Sequence, residues 1–265
     1  MAISHDRYIL ARDLPDPRDY LYGVEGHHLR KAIPKRVDLR SHCPKVQNQG
    51  RLGTCTAHAV AAAFRYEQKV QKLRVIRPSR LFIYYNERKI GKQRKLKHVV
   101  RLRDALKSVS KHGVCPESLW EYNDDSRTFW IKPPKEAYNA ATLRRVFEYH
   151  RIPNEEAKPA TFLRLLKRCL ADRCPVLFGF SVYESFETGS VMRTGVMVRP
   201  NTRKEKFHGG HAVMAVGYDD NKRAVLVRNS WGGEWGTGGH FWMPYSIITD
   251  TKITHDFWTV RGVTG

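Results

Sequence analysis

Three short motifs of this 265-residue chain contain residue types that together could carry out nucleophilic catalysis. A glycine-containing loop delivers Cys55 to the start of an alanine-rich stretch, and the backbone N–H groups at a helix N-terminus make a thiol easier to ionise. His211 begins an apolar run and could act as a base. Asn229 could accept a hydrogen bond from the imidazole and fix its tautomer, while Trp231 shields that bond from water. The sequence thus predicts a nucleophile, a base and an orienting group in that order along the chain.

The sequence around these residues resembles the papain family of cysteine proteases. Gln49 lies six residues before Cys55, which is the spacing of the family's oxyanion-hole glutamine, although Gln47 and Asn48 are neighbouring alternatives. Residues 33–40 are similar to the start of a mature enzyme of the family. The resemblance extends to about residue 245 and includes Asn-Ser-Trp-Gly-Gly-Glu-Trp-Gly at 229–236 and Gly-Gly-His-Phe at 238–241.

The resemblance implies an α+β fold of two lobes with the active-site cleft between them. A mainly helical left lobe would span residues 33–145 and carry the cysteine. A β-rich right lobe, barrel-like in the family, would span residues 146–265 and carry the histidine and the asparagine. Residues 1–32 would then be a short propeptide or tail, much shorter than the prosegment of secreted relatives. We hypothesise that this N-terminal segment lies over the cleft or along the surface.

The resemblance also implies the activity of a thiol protease, specifically an endopeptidase acting on protein or peptide substrates. The catalytic residues would be Cys55, His211, Asn229 and Gln49. The thiolate would attack a peptide carbonyl, the imidazolium would protonate the leaving amine, and water would hydrolyse the acyl-enzyme. This chemistry requires no metal and no organic cofactor.

The local sequence indicates which elements position these residues. Residues 55 to about 72 are rich in good helix formers and contain neither glycine nor proline, so they predict a helix that Thr54 could cap. The first half of the chain is expected to be mostly helical, and the second half rich in β-strands. Further helices are expected at 79–89, 102–112 and 160–171, and strands at 176–182, 191–198, 212–218, 224–228 and 240–243.

Several positions depart from the pattern of many papain-like enzymes. Thr56 follows the cysteine where tryptophan is usual, and Leu52 stands where a disulfide cysteine is usual; both are similar to bacterial, archaeal and viral relatives. Gly210 precedes His211 in place of aspartate or asparagine. A Gly-Cys-x-Gly-Gly segment is missing, so the substrate pocket wall is assigned only to the region of residues 99–103.

Two other readings compete for the same residues. His58 lies one helical turn from Cys55 and is a rival base, although core packing explains it better. The pairs Cys55/His58 and His208/His211 could suggest a metal site, but no dense Cys/His framework accompanies them. At the level of function, the alternatives are a catalytically idle papain-like scaffold with a basic binding surface and an acyl-transfer variant.

Composition restricts the class of protein further. The chain has 47 Lys and Arg residues but only 26 Asp and Glu residues, which gives a net charge of +21. Ten of the basic residues lie within 88–111. We expect either a solvated face or contact with a polyanion there. No run is apolar enough for a membrane span and no secretory signal is recognisable, which leaves the compartment open. Among the five cysteines, those at 169 and 174 could pair in an oxidising compartment.

Overall fold

The computed structural model describes residues 7–22, 32–91, 99–125, 127 and 129–265. The first half of the described chain is mainly helical, and its longest helix is α1, an alanine-rich helix buried along most of its length. Helix α1 packs against both neighbouring helices and against the sheet, because small alanine side chains allow close approach on several faces. The helices of this half are α1 (Cys55–Val70), α2 (Arg80–Ile90), α3 (Leu102–His112) and α4 (Lys135–Ala141).

The second half provides most of one antiparallel sheet, which has seven strands in the described part of the chain. The order is β2-β7-β3-β4-β5-β6, and the short β1 pairs with the end of β4. The long strand β4 is therefore central and carries His211. The strands are β1 (Arg36–Asp38), β2 (Val146–Ile152), β3 (Val176–Tyr183), β4 (Phe207–Asp219), β5 (Ala224–Arg228), β6 (His240–Pro244) and β7 (Thr254–Val263).

Three more helices complete the fold: α5 (Pro159–Ala171), α6 (Gly189–Thr194) and α7 (Tyr245–Ile248). The strand predicted at 191–198 is wrong, because this region contains α6 instead. The Thr188 side chain accepts a hydrogen bond from the Val191 N–H at the start of α6, and Gly195 ends the helix in a left-handed conformation. Local capping thus overrides the β-propensity of the valines.

The other predicted elements are confirmed to within a few residues. Helix α3 has the predicted bounds and ends at Gly113, whose φ is 79°. Ser79 caps α2 by accepting a hydrogen bond from the Phe82 N–H. None of the helices in the described ranges is long and apolar enough to cross a membrane.

Candidate active site

Cys55 is the first residue of α1, and its side chain is fully buried. Thr54 occupies the N-cap position, but the expectation that its side chain caps the helix is wrong. The Thr54 hydroxyl makes no capping hydrogen bond and lies 2.8 Å from Tyr122 Oη instead. The first-turn backbone N–H groups therefore remain available to the sulfur, and those of Cys55 and Thr56 lower the pKa of the thiol.

His211 in β4 and Asn229, which directly follows the adjacent strand β5, meet through their side chains. His211 Nε2 lies 2.8 Å from Asn229 Oδ1. Asn229 Oδ1 also accepts a hydrogen bond from the Ser230 N–H at 2.9 Å, which fixes this atom as the acceptor and makes Nε2 the donor. The other ring nitrogen, Nδ1, has no hydrogen-bond partner in the described part of the chain. The imidazole is thus oriented through one nitrogen while the other is left free to accept a proton.

The packing of α1 against β4 brings the sulfur beside the strand that carries the imidazole. The backbone of Ala212, the residue after His211, lowers the pKa of the Cys55 thiol. Trp231 covers the imidazole with 5.1 Å between ring centroids, and Phe180 packs against it with 5.7 Å. Apolar rings therefore shield the histidine from water on two sides.

Gln49 is fully buried and held at both ends of its side-chain amide. Its Oε1 accepts a hydrogen bond from the Ser230 hydroxyl at 2.5 Å, and its Nε2 donates to the Leu52 carbonyl at 2.9 Å. An amide nitrogen carries two hydrogens, so one N–H of Nε2 is left for another acceptor. Of the two neighbouring alternatives, Gln47 lines a small cavity bordered by α1 and β4, and Asn48 Oδ1 accepts a hydrogen bond from the Gly50 N–H. The role of Ser230 in holding the glutamine was not predicted from the sequence.

The N-terminal residues 7–10 lie directly over these side chains. The Arg7 guanidinium is 4.2 Å from the centroid of Trp231, and the Tyr8 ring packs edge-on to His211 with 5.9 Å between centroids. The Tyr8 hydroxyl donates a hydrogen bond to Glu187. This cover explains why the sulfur and the imidazole are inaccessible to solvent. No single residue type in the sequence of the segment predicts these contacts.

Leu10 is held between the two sides of the cleft by backbone hydrogen bonds. Its N–H donates to the Gly210 carbonyl at 3.2 Å. On the other side, the Val100 N–H donates to the Ile9 carbonyl at 3.1 Å and the Ala11 N–H donates to the Val100 carbonyl at 2.9 Å. Both pairings are parallel, and the Leu10 side chain is buried. Residues 99–103, the expected pocket wall, thus contribute Val100 to the contact with the segment.

Glycines at 209 and 210 allow the segment to approach this closely. A Cβ at Gly210 would lie 2.2 Å from the Leu10 carbonyl oxygen, and a Cβ at Gly209 would lie 2.3 Å from the Tyr8 carbonyl oxygen. Neither distance is compatible with a side chain. The glycine pair was the sequence signal that could have indicated an approaching backbone.

Farther along the segment, Asp13 and Asp19 anchor it to buried groups of the core. The Asp13 carboxylate accepts hydrogen bonds from Trp258 Nε1 at 2.9 Å and from the Arg103 N–H at 3.2 Å. The Asp13 N–H donates to Asp256 Oδ2 at 2.8 Å. Arg103 and Asp19 form an ion pair at 2.5 Å in which both side chains are buried. Residues 7–22 are therefore an integral part of the described fold.

Burial controls the ionisation of the candidate catalytic pair. It raises the pKa of the Cys55 thiol to about 12, although hydrogen bonds from backbone N–H groups act in the opposite direction. Burial also lowers the pKa of His211 to about 3, against the hydrogen bond to Asn229 that raises it. The expectation of a readily ionised thiol is therefore wrong for this covered arrangement. Both shifts favour the neutral forms of the thiol and the imidazole in this covered arrangement.

His58, the rival base, has partners at both ring nitrogens. Its Nδ1 lies 2.9 Å from the Thr54 carbonyl, and its Nε2 lies 3.3 Å from Arg80 Nη1. Its ring also packs edge-on to Tyr122 at 5.0 Å. Burial, followed by the charge of Arg80, lowers the His58 pKa to about 3. These contacts support the packing explanation of His58.

Within the described ranges, no group of three or more His, Cys, Asp or Glu side chains is arranged to hold a metal ion. All five cysteines are free thiols. The Cys169 and Cys174 side chains are both buried, and Cys169 Sγ donates to the Cys174 carbonyl at 3.5 Å.

The basic stretch 88–111 is only partly a surface feature. Residues 92–98, which include four of its ten basic residues, lie outside the described residues. Arg88 is buried, and its guanidinium lies 4.5 Å from the centroid of Phe129. Arg103 is buried in its ion pair, and Lys107 contacts Asp16 of the N-terminal segment at 3.5 Å. Part of this positive charge therefore serves to bind the segment.

The comparisons with known proteins agree on one family. A sequence profile of papain family cysteine proteases matches residues 33–260. An uncharacterised peptidase C1-like protein of Acanthamoeba polyphaga mimivirus is 40% identical over 269 residues, which cover 94% of this chain and 85% of that protein. The crystal structure of xylellain, a cysteine protease from Xylella fastidiosa, has 38% sequence identity and a TM-score of 0.86, covering 98% of each chain. Cathepsin K of Gallus gallus is 26% identical over 86% of this chain and 63% of its own length.

The fold and these similarities define a cysteine protease with the two-lobe α+β architecture. The chain belongs to the papain family of cysteine proteases, and it is a thiol protease.

Proposed function

We propose that Cys55 is the nucleophile, His211 the general acid and base, Asn229 the group that orients the imidazole, and Gln49 a donor to the oxyanion. The observation that carries this proposal is the 2.8 Å contact of His211 Nε2 with Asn229 Oδ1, which orients the ring and leaves Nδ1 without a hydrogen-bond partner in the described part of the chain. This is the geometry that a base needs in order to remove a thiol proton.

In the proposed reaction, the imidazole takes the thiol proton and the thiolate attacks the carbonyl carbon of a peptide bond. The imidazolium then protonates the departing amine, which leaves an acyl-enzyme. Water, deprotonated by the imidazole, attacks the acyl carbon, and the sulfur leaves as the thiolate. The second N–H of Gln49 Nε2 and the backbone N–H of Cys55 would hold the negative oxygen in both steps. One donor of this kind is typically worth about 3 kcal/mol of transition-state stabilisation.

We also propose that the described arrangement is a closed form of the enzyme. Residues 7–10 occupy the space in front of the sulfur and the imidazole, and their cover holds both groups in neutral forms. A substrate could not reach the sulfur until this segment moves. Catalysis would therefore require displacement of the N-terminal segment, after which water returns and the first-turn N–H groups of α1 can favour the thiolate.

The division into residues 1–32, 33–145 and 146–265 remains a prediction. The positions of α1 to α4 within 33–145 and of six strands within 146–265 support it. Strand β1 lies in the first of these lobes by sequence but pairs with β4 of the second, so the two lobes would share one sheet.

Contact of residues 88–111 with a polyanion also stays a prediction. The burial of Arg88 and Arg103 reduces the charge that could face such a partner. Steep loss of binding with rising salt would be its mark, since each phosphate contact releases counterions.

Site-directed substitution tests the catalytic proposal. An epoxysuccinyl or iodoacetamide probe should label Cys55 and abolish peptide cleavage, and Cys55→Ala should be inactive. His211→Ala should lose activity. His58→Ala, which removes the same imidazole group from another position, should keep most of the activity. A large loss for His58→Ala alone would overturn the assignment of the base. Similarity to cysteine proteases does not favour an idle scaffold, and product analysis would separate hydrolysis from acyl transfer.

A further inference from the structure

A polar groove of about 780 Å³ lies beside the loop that carries Gln49, and it contains none of the proposed catalytic residues. Its walls come from the chain around residues 45–48, from α1, from the start of α2 and from the region of Tyr122. The volume is within the range typical of small-molecule sites. Its charged lining consists of Lys45, Arg65, Arg77, Arg80, Glu117 and Glu121.

The positive charge of this groove is only partly neutralised. The buried Arg80 forms an ion pair with the partly buried Glu117. The side chains of Lys45, Arg65 and Arg77 make no ion pair or hydrogen bond with any residue that the structure describes. Glu121 is the remaining acid of the lining, so three free cations share the groove with one carboxylate. Cations gathered in a concave site attract anions more strongly than the same cations on a convex surface.

A fifth cation lies behind the groove. A small cavity shares Gln47, Arg65 and Arg77 with the groove and is also lined by Arg228. Arg228 is buried, and its guanidinium donates to the carbonyls of Pro44 and Lys45 at 2.7 Å each. It has no carboxylate partner within the described residues, and burial lowers its pKa to about 10. The positive potential thus extends from the groove into the protein.

The walls of the groove are preformed. The Arg80 guanidinium stacks 4.3 Å from the centroid of Tyr122, and the Tyr122 hydroxyl donates to the Gln49 carbonyl at 2.7 Å. Arg228 fixes the backbone that carries Lys45 through its two carbonyl contacts. A ligand would therefore not have to order these walls on binding, which lowers the entropic cost of association.

We propose that this groove is a binding site for a phosphate or sulfate group, held mainly by Arg65 and Arg77 with Lys45 at its rim. Guanidinium groups match the tetrahedral oxyanions with paired N–H donors, and a doubly charged anion would neutralise the excess positive charge. The proposal does not depend on the catalytic assignment, because none of its residues takes part in the proposed reaction.

Isothermal titration of the full-length protein with inorganic phosphate and with glycerol 2-phosphate tests the site. Both should bind the wild type, and tighter binding of the ester would indicate an anion carried on an organic group. The double variant Arg65→Gln/Arg77→Gln should bind each at least tenfold more weakly. The matched control Arg193→Gln/Arg203→Gln removes the same charge from two exposed residues elsewhere and should bind like the wild type.

Equal affinities of the wild type and the Arg65→Gln/Arg77→Gln variant would overturn the proposal, as would the absence of binding by the wild type. An equal loss in the Arg193→Gln/Arg203→Gln control would also overturn it, because net charge alone would then explain the binding. Equal thermal unfolding midpoints of the unliganded proteins would show that the substitutions leave the fold intact.

Discussion

Replacing Leu10 with alanine should make the candidate nucleophile Cys55 much more reactive. Leu10 is 7% exposed and is the residue whose backbone joins the segment to Gly210. Truncating a buried leucine to alanine typically costs about 2 to 5 kcal/mol. We take the lower end, about 2 kcal/mol, because the segment can relax around the smaller side chain. Since about 1.4 kcal/mol is a factor of ten, the population of the open form should rise roughly 30-fold.

The assay is the rate of alkylation of Cys55 by iodoacetamide under native conditions, followed by mass spectrometry, beside cleavage of a fluorogenic peptide. When opening is fast and transient, both rates follow the population of the open form. Leu14→Ala is a matched control, because Leu14 belongs to the same segment but is 66% exposed. It should change either rate by no more than about twofold.

Labelling of Cys115 reports on global unfolding, because this thiol is fully buried in a cluster with Phe82, Ala137 and Ala141 that contains no residue of the segment. It should stay slow in both variants. Equal alkylation rates of Cys55 in the wild type and in Leu10→Ala would refute the idea that the segment controls access. A parallel rise for Cys115 would mean that the substitution had merely destabilised the whole protein.

Three other changes test the closed form and the site. Burial raises the pKa of Asp13 to about 7, so docking of the segment is strongest below the ordinary aspartate pKa of about 4 and weakens as the pH rises through about 7. The alkylation rate of Cys55 in the wild type, divided by the rate in Asp13→Asn at the same pH, should therefore rise over this range. A ratio that stays constant with pH would contradict this prediction. Asn229→Ala in the Leu10→Ala background should lower kcat roughly 10- to 100-fold through loss of one buried hydrogen bond, and an unchanged kcat would count against its orienting role. Gly210→Ala should open the cleft, because its methyl group would lie 2.2 Å from the Leu10 carbonyl oxygen, whereas Gly233→Ala meets nothing within 4 Å and should have no effect on alkylation.

Much of the fold could be predicted from local sequence. Helix α1 follows from a run of good helix formers, and α3 from a periodic apolar pattern that ends at Gly113. Strand β7 was missed, because it is buried along most of its length and therefore lacks the alternation of a half-exposed strand. It also contains Asp256, whose φ of 56° interrupts the regular pattern.

The proposed catalytic residues could be selected from the sequence because each lies in a motif of its own, but their ionisation could not. The position of Cys55 at a helix N-terminus predicts a lowered pKa, and the first-turn N–H groups do act in that direction. The larger effect comes from burial, in a site whose histidine is covered by Tyr8 from a distant part of the sequence. Desolvation depends on what covers a group in three dimensions, and no local motif encodes that.

The glycine pair at 209–210 connects the departures of this sequence from its family with the closed form. Where many papain-like enzymes have aspartate or asparagine before the histidine, this chain has Gly210, and the backbone of Leu10 fills the space. A side chain at position 210 would exclude the segment, and without the segment the glycine would leave a gap beside His211. The N-terminal segment and the glycine are therefore explained together, since the backbone of residues 8–10 covers the histidine where a side chain at position 210 is absent.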